Sequence, residues 1–94
     1  MIVRIDIHDS PDGEHGYAVS SEGTELYGDS GFSSILHALA GAIEGLQPEV
    51  MAAELAFRGV VSGTYPLRVL ATRPAAVVQH AVDTANAVLE ALRR

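Results

Sequence analysis

The stretch "IVRIDIHDSPDGEHGYAV", residues 2–19, decides the fold of this chain. Apolar side chains alternate with polar ones on either side of "SPDGE", which is typical of two strands that each bury one face. Pro11, Asp12 and Gly13 have the preferences of a three-residue hairpin loop in which the glycine takes a positive φ. We therefore predict a β-hairpin closed by these three residues.

The length of this loop sets the register of the hairpin. It places Ile7 opposite Tyr17 and Ile5 opposite Val19, so the large apolar side chains share one face. A loop one residue longer would divide the same side chains between two faces. The shorter loop is therefore the prediction.

The same register separates the two histidines that flank the turn. His8 is predicted opposite Gly16, and Asp9 opposite His15, so the two imidazoles point to opposite faces. Ligands of one metal ion must converge within about 2.0–2.2 Å of it. The sequence therefore predicts no metal site here, and an Asp9–His15 cross-strand pair instead.

A second turn and a short third strand follow. Glu22 and Gly23 are predicted to form a tight turn that pairs Ser21 with Thr24. Continued regularly, that pairing sets Leu26 opposite Val19 and adds it to the apolar face. The third strand is predicted over residues 24–28.

The next segment, up to Pro48, has the spacing of an amphipathic helix. Asp29 or Ser30 is the predicted N-cap. A glycine inside a helix costs about 1 kcal/mol relative to alanine, so Gly41 indicates a close approach to a neighbouring element. The small residues on that side are Ala38, Gly41, Ala42 and Gly45. The apolar stripe is Phe32, Ile35, Leu36, Leu39, Ile43 and Leu46.

Residues 48–58 suit either a helix or a strand. We favour a second hairpin with Val61–Gly63 as its loop, because one face is then apolar. Its predicted pairs are Phe57 with Leu67, Leu55 with Val69, and Ala53 with Ala71. A final helix is predicted to begin at Pro74, and its predicted buried stripe is Val78, Val82, Ala85, Val88, Leu89 and Leu92.

These elements predict one α+β domain over residues 1–94, with the order βββαββα. An antiparallel sheet with one apolar face and two helices covering it makes a two-layer sandwich. A chain of 94 residues with few aromatic side chains has a thin core, and small domains of this kind gain stability by dimerising. We therefore expect a homodimer.

Charge is distributed unevenly along the chain. Its net charge is −6, and residues 1–50 hold nine carboxylates against Arg4 alone. An acidic surface repels phosphate, which argues against direct nucleic-acid binding and favours a basic protein partner. The candidate partner-binding residues are Asp6, Asp9, Asp12, Glu14, Glu22 and Glu25.

Other features of the composition narrow the class of protein. The chain has no cysteine and all six of its basic residues are arginine, which suits a reducing cytoplasm and a GC-rich bacterial genome. No apolar run is long enough to span a membrane, and no signal segment precedes the first strand. We expect a cytoplasmic protein without a cofactor.

No catalytic acid–base pair is specified by the sequence, so we expect a module that is not an enzyme. One alternative is a small-molecule-binding or enzymatic subunit with a pocket between sheet and helices or at a dimer interface. Its candidate pocket residues are His37, Tyr65 and His80. Another alternative is an accessory or structural subunit of a larger assembly, marked by an exposed apolar patch on a helix.

Two runs, "DGEHGYAV" and "GDSGFSSILHALAGAIEGL", resemble the N-terminal domain of HicB-type antitoxins over about 40 residues. That domain has a strand, a "DG" turn, a "GY" strand, a "GD-S/T" cap and an "A…AIE" helix in the same order. The resemblance implies a similar fold and an antitoxin-like or immunity-like role, with the acidic half facing a basic, RNA-cleaving toxin. The matching residues are Asp12, Gly13, Gly16, Tyr17, Gly28, Asp29, Ser30, Ala38, Ala42, Ile43 and Glu44.

Overall fold

The computed structural model describes residues 1–93 and contains five strands and three helices in that range. The strands are β1 (Ile2–Asp9), β2 (His15–Ser21), β3 (Thr24–Phe32), β4 (Ala52–Phe57) and β5 (Val60–Pro66). The helices are α1 (Ile35–Glu44), α2 (Leu67–Thr72) and α3 (Pro74–Leu92). The predicted α+β class and the order βββαββα are confirmed, with the short α2 as an addition just before the last helix.

The first hairpin has the predicted register. Ile7 lies opposite Tyr17 and Ile5 opposite Val19. In its loop Gly13 has a φ of 84°, as a bulge-forming glycine requires. The loop is closed by two backbone hydrogen bonds, from Ser10 N to Glu14 O at 2.8 Å and from Gly13 N to Ser10 O at 3.0 Å.

The sheet has the strand order β3-β2-β1-β4-β5, and β1 and β4 are parallel. The prediction of an antiparallel sheet is wrong at this one junction. β1 and β3 run in the same direction because both are antiparallel to β2, and α1 returns the chain to the end where β1 began. β4 therefore starts beside the start of β1, with Ile2 opposite Ala52 and Ile7 opposite Phe57.

All three helices cover the same face of the sheet. α1 packs on the β1–β3 side and α3 on β4 and β5, and the two helices contact each other. The core lies between these layers and contains no buried polar side chain among residues 1–93. The strand residues that form it are Val3, Ile5, Ile7, Tyr17, Val19, Ala53, Leu55 and Phe57. No helix within residues 1–93 lies on the other face of the sheet.

β3 is longer than predicted and carries a bulge. The register shifts between Val19 and Ser20, so Tyr27 lies opposite Val19 and Leu26 is pushed out of the ladder. Leu26 is 48% exposed, so its prediction as a core residue is wrong. The prediction missed the bulge because alternation alone does not reveal an inserted residue.

The start of α1 also differs from the prediction. Asp29 and Ser30 belong to β3, and the N-cap is Ser34, whose hydroxyl accepts a hydrogen bond from His37 N at 3.1 Å. Serine is a preferred N-cap residue because its oxygen satisfies one of the free N–H groups of the first turn. Four residues of preferred N-cap type, Asp29, Ser30, Ser33 and Ser34, lie within six positions, and the length of β3 selects among them.

Residues 52–57 form a strand, but the second hairpin turns earlier than predicted. Arg58 and Gly59 make the turn, with φ values of 53° and 78°, and Phe57 lies opposite Val60. Positive φ at both central residues matches the twist of a two-residue hairpin. The predicted loop at 61–63 and the predicted pairing of residues 67–71 are therefore wrong, since Leu67–Thr72 is helical.

The last helix begins at Pro74 as predicted, but its buried stripe is rotated. Val77, Ala81 and Ala85 are buried, whereas Val88 and Leu92 are 39% and 76% exposed. The two alanines allow the helix to approach the sheet closely. The predicted burial of Val88 and Leu92 is wrong. Ala85 is the last buried residue of this helix, and beyond it Leu89 is half-buried.

Gly41 allows α1 to approach a neighbouring element closely, as the sequence predicts. A Cβ at Gly41 would lie 2.9 Å from the Phe32 ring and 3.3 Å from the Tyr17 ring, and one at Gly45 would lie 2.7 Å from the Tyr27 ring. The two glycines let α1 rest directly on these aromatic rings. Within residues 1–93, every helix is too short or too polar to cross a lipid bilayer.

Candidate functional site

The two histidines of the first hairpin lie on opposite faces, as the register requires. The His8 ring covers Gly16 on the open face, where a Cβ on that glycine would lie 2.5 Å from His8 Nε2. His15 lies on the helix-covered side, opposite Phe32 in the ladder. Nowhere in residues 1–93 do three histidine, aspartate or glutamate side chains converge as metal ligands.

Asp9 joins two neighbours at one end of the sheet. Its Oδ1 lies 2.9 Å from His15 Nδ1, and its Oδ2 accepts a hydrogen bond from Arg58 Nε at 2.6 Å. The predicted Asp9–His15 pair is therefore present, although the approach to Nδ1 does not have hydrogen-bond geometry. Arg58 also lies 4.9 Å from the centre of the Phe57 ring, within the range of a cation–π contact. The charge of Asp9 is neutralised within the molecule.

A second ion-paired cluster occupies the middle of the open face. Arg4 Nε donates to Asp6 Oδ2 at 3.0 Å, and Arg4 Nη1 donates to Glu54 Oε1 at 3.2 Å. The hydrogen bonds and charge of Asp6 raise the pKa of Arg4, because they favour the protonated guanidinium. Asp6, like Asp9, has an arginine beside it and is not a free carboxylate.

The remaining carboxylates of the first half have no such partner. Six of them lie in the β1–β2 and β2–β3 turns, on β3 and on α1, and no arginine or histidine of residues 1–93 pairs with them. We call this group the acidic flank. It consists of Asp12, Glu14, Glu22, Glu25, Asp29 and Glu44.

Two members of the acidic flank were not among the sequence candidates. Asp29 lies on β3 and Glu44 on α1, and the charges of both act on Tyr17. Burial raises the pKa of Tyr17, and the charges of Asp29 and Glu44 raise it further. Nothing in the local pattern links residues 29 and 44 to Tyr17, since that relationship depends on the packing of α1 on β2 and β3.

The strand order separates the charges of the two halves of the chain. β3 and β2 form one side of the sheet and come from the acidic half, while β4 and β5 form the other side. Of the second-half arginines within residues 51–93, Arg58 lies in the β4–β5 turn and Arg68 on α2, while Arg73 and Arg93 flank α3. None of the four lies on β2 or β3 or in the turns at their ends.

The outer edge of β3 borders the acidic flank. β3 is the last strand of the sheet, and within residues 1–93 it forms a backbone ladder with β2 alone. No other backbone–backbone hydrogen bond in that range involves a β3 residue, although Ser30 N donates to Asp29 Oδ1 at 2.8 Å. Apart from Tyr27 and Phe32, its residues are exposed. This side of the molecule combines unpaired carboxylates with an open strand edge.

A small apolar surface lies elsewhere, where β1 and β4 begin and β5 ends. Ile2 is 60% exposed and Met51 is 72% exposed. They line a concavity of about 390 Å³ with Ala52, Thr64 and Pro66. We call Ile2, Met51, Ala52 and Pro66 the apolar patch. It lies on the sheet and not on a helix, unlike the exposed patch considered from the sequence.

The three candidate pocket residues do not form a common site. His37 Nδ1 lies 2.9 Å from Ser33 Oγ on the exposed side of α1, and the Tyr65 hydroxyl lies 3.2 Å from Ser62 Oγ. His80 is exposed on α3. No hydrogen bond or ion pair in residues 1–93 joins any two of the three. None of them lines the main surface concavities.

Comparisons of the whole chain find no matching protein-family model, curated protein or solved structure.

Proposed function

We propose that the protein is a non-enzymatic module that binds a basic protein through the acidic flank. The observation that carries the proposal is that these six carboxylates have no basic partner within residues 1–93, whereas Asp6 and Asp9 have one. Grouped charges of one sign steer an oppositely charged partner and select against others. The partner surface is therefore expected to be rich in arginine or lysine.

The most concrete form of this function is inhibition of a toxin or effector. The resemblance to HicB-type antitoxins implies a basic, RNA-cleaving partner, and the acidic flank has the charge that such a partner requires. Binding there would compete with RNA, because both present negative charge to the same basic surface. We place this activity in a bacterial cytoplasm.

The test is co-purification from cells of the native host, followed by mass spectrometry. A flank variant, Glu25→Gln with Asp29→Asn, removes two charges and keeps the side-chain shapes. A control variant, Asp83→Asn with Glu90→Gln, removes the same charge on α3, outside the flank. We expect a basic partner to be captured by the wild type and the control and lost with the flank variant. Equal capture by both variants, or no partner at all, contradicts the proposal.

We also propose that a second copy of the chain covers the apolar patch. The support is the exposure of Ile2 and Met51 next to each other on a small domain whose core has few aromatic residues. Burying such a patch in a symmetric contact adds apolar burial that the monomer lacks. Sedimentation velocity of the purified protein gives the oligomeric state directly, and a monomer at all concentrations would contradict this part.

A further inference from the structure

We propose that the outer edge of β3 accepts an extended, basic segment of the partner protein as a sixth strand of the sheet. This inference rests on the proposed function and deepens it, because it names both the place and the backbone form of the partner. Strand addition at an open edge uses main-chain hydrogen bonds for affinity and side-chain positions for specificity.

The length and openness of β3 support this mode of binding. β3 has nine residues, against about five or six in a typical strand. Its ladder with β2 shifts register at Leu26 and again at Ser30 and Gly31, so the central run of regular pairing is residues 27–29. The backbone groups on its outer side have no backbone partner within residues 1–93. An open edge of this length is a template for another strand.

The opposite edge of the sheet is less suitable. β5 has seven residues and ends in Pro66, which has no backbone N–H to donate. β3 has nine residues and contains no proline. β3 is therefore the longer edge and keeps a backbone N–H at every position.

The charges on β3 decide which strand it accepts. Glu25 lies opposite Ser20, which puts it on the open face, and Asp29 lies opposite Tyr17, which puts it on the helix-covered side. An incoming strand therefore meets a carboxylate on each of its faces. Arginine or lysine on both faces of that strand makes opposite-charge cross-strand pairs.

The same charges disfavour a second copy of β3 as the occupant. An antiparallel pair of β3 strands would bring two Glu25 and two Asp29 side chains onto one ribbon, with Glu22 and Glu44 nearby. Charged residues on edge strands are a known means of preventing self-association. A basic segment from another protein removes this repulsion, whereas a second copy doubles it.

The test uses a synthetic peptide of nine residues, capped at both ends, that alternates valine and threonine and carries arginine on both faces. Binding is measured by fluorescence anisotropy, and β3 amide exchange by NMR. We expect exchange to slow at least tenfold at those β3 amides that do not donate to β2. The flank variant Glu25→Gln with Asp29→Asn should bind roughly three- to tenfold more weakly, and the control variant Asp83→Asn with Glu90→Gln as tightly as the wild type.

A second peptide separates strand addition from simple charge attraction. It has the same sequence, but alternate backbone nitrogens are methylated. The peptide therefore keeps its charge and loses the backbone N–H hydrogen-bond donors at those positions. Equal binding of both peptides without slowed exchange overturns strand addition and leaves the acidic flank as a charged surface. Failure of the first peptide to bind also overturns it. A control measures β3 amide exchange without peptide at several protein concentrations. If exchange becomes slower as the protein concentration rises, a second copy occupies the edge and the proposal is overturned.

Discussion

Asp9 and Arg58 hold two hairpins together at one end of the sheet, through a hydrogen bond of 2.6 Å between Asp9 Oδ2 and Arg58 Nε. Asp9 ends β1, and Arg58 is the first residue of the β4–β5 turn. Arg58 has a φ of 53°, which only a minority of non-glycine residues adopt. The ion pair and the turn therefore support each other across 49 residues of sequence.

We expect Asp9→Asn to lower the free energy of unfolding by about 0.5–1 kcal/mol. The estimate is small because both side chains are partly exposed, where ion pairs contribute little. Urea denaturation measures the change, with Asp83→Asn as a control for loss of a carboxylate elsewhere. An equal effect of the two substitutions would show that the Asp9 contacts add nothing to stability.

We expect Gly41→Ala to destabilise the protein by about 1 kcal/mol, contrary to the usual effect in a helix. Alanine in place of glycine normally stabilises a helix by about 1 kcal/mol. Here the new Cβ would lie 2.9 Å from the Phe32 ring, and overpacking of that kind costs about 1–3 kcal/mol. Thermal or urea unfolding gives the sign of the change. A stabilised variant would mean that the ring moves aside freely.

We expect stability to decline as the pH rises above about 10, because of two tyrosines. Burial raises the pKa values of Tyr17 and Tyr27 above the ordinary value of 10.0. The unfolded chain therefore loses its phenolic protons at a lower pH than the folded chain. The stabilisation is fully present below the unfolded pKa and is lost as the pH rises through the folded pKa.

The double variant Tyr17→Phe with Tyr27→Phe should lose this pH dependence. Its unfolding free energy should be lower at neutral pH, because the Tyr27 hydroxyl donates a hydrogen bond of 2.6 Å to Ala42 O, and such a bond contributes about 1 kcal/mol. Between pH 9 and pH 11 its stability should fall less than that of the wild type. Urea unfolding across this range, with absorbance of tyrosinate, makes the comparison. Parallel curves for the two proteins would contradict the assignment.

We expect Met51→Glu to prevent dimer formation if a second copy covers the apolar patch. A buried carboxylate without a partner is costly, whereas the same residue on an exposed surface costs little. Sedimentation velocity compares the variant with Leu92→Glu, which puts the same charge on the exposed end of α3. Loss of the dimer in both variants, or in neither, would place the contact elsewhere.

The sequence predicted the parts of the fold that depend on neighbouring residues. Pro11, Asp12 and Gly13 specify their loop by their own backbone preferences, and that loop sets the pairing of the first hairpin. Pro74 likewise marks the start of α3. In each case the relevant interactions lie within a few residues, so the pattern is visible in the chain itself.

The bulge at Leu26 and the turn at Arg58 were not visible in the same way. A strand with an inserted residue and a strand without one have similar alternation over a few positions. The difference arises from how each strand fits its neighbour and the helices above it. The candidate site likewise depended on tertiary contacts. The charge composition indicated an acidic surface, but it did not indicate which carboxylates are neutralised by arginine.

By itself, the sequence determined the first hairpin, the α+β class and the excess of acid in the first half, because each depends on local backbone preference or on composition. Only the tertiary structure decided that β4 runs parallel to β1, that Asp6 and Asp9 are paired with arginines, and that the charges of Asp29 and Glu44 both act on Tyr17. Those relationships join residues that are far apart in the chain, and packing of the helices on the sheet is what brings them together.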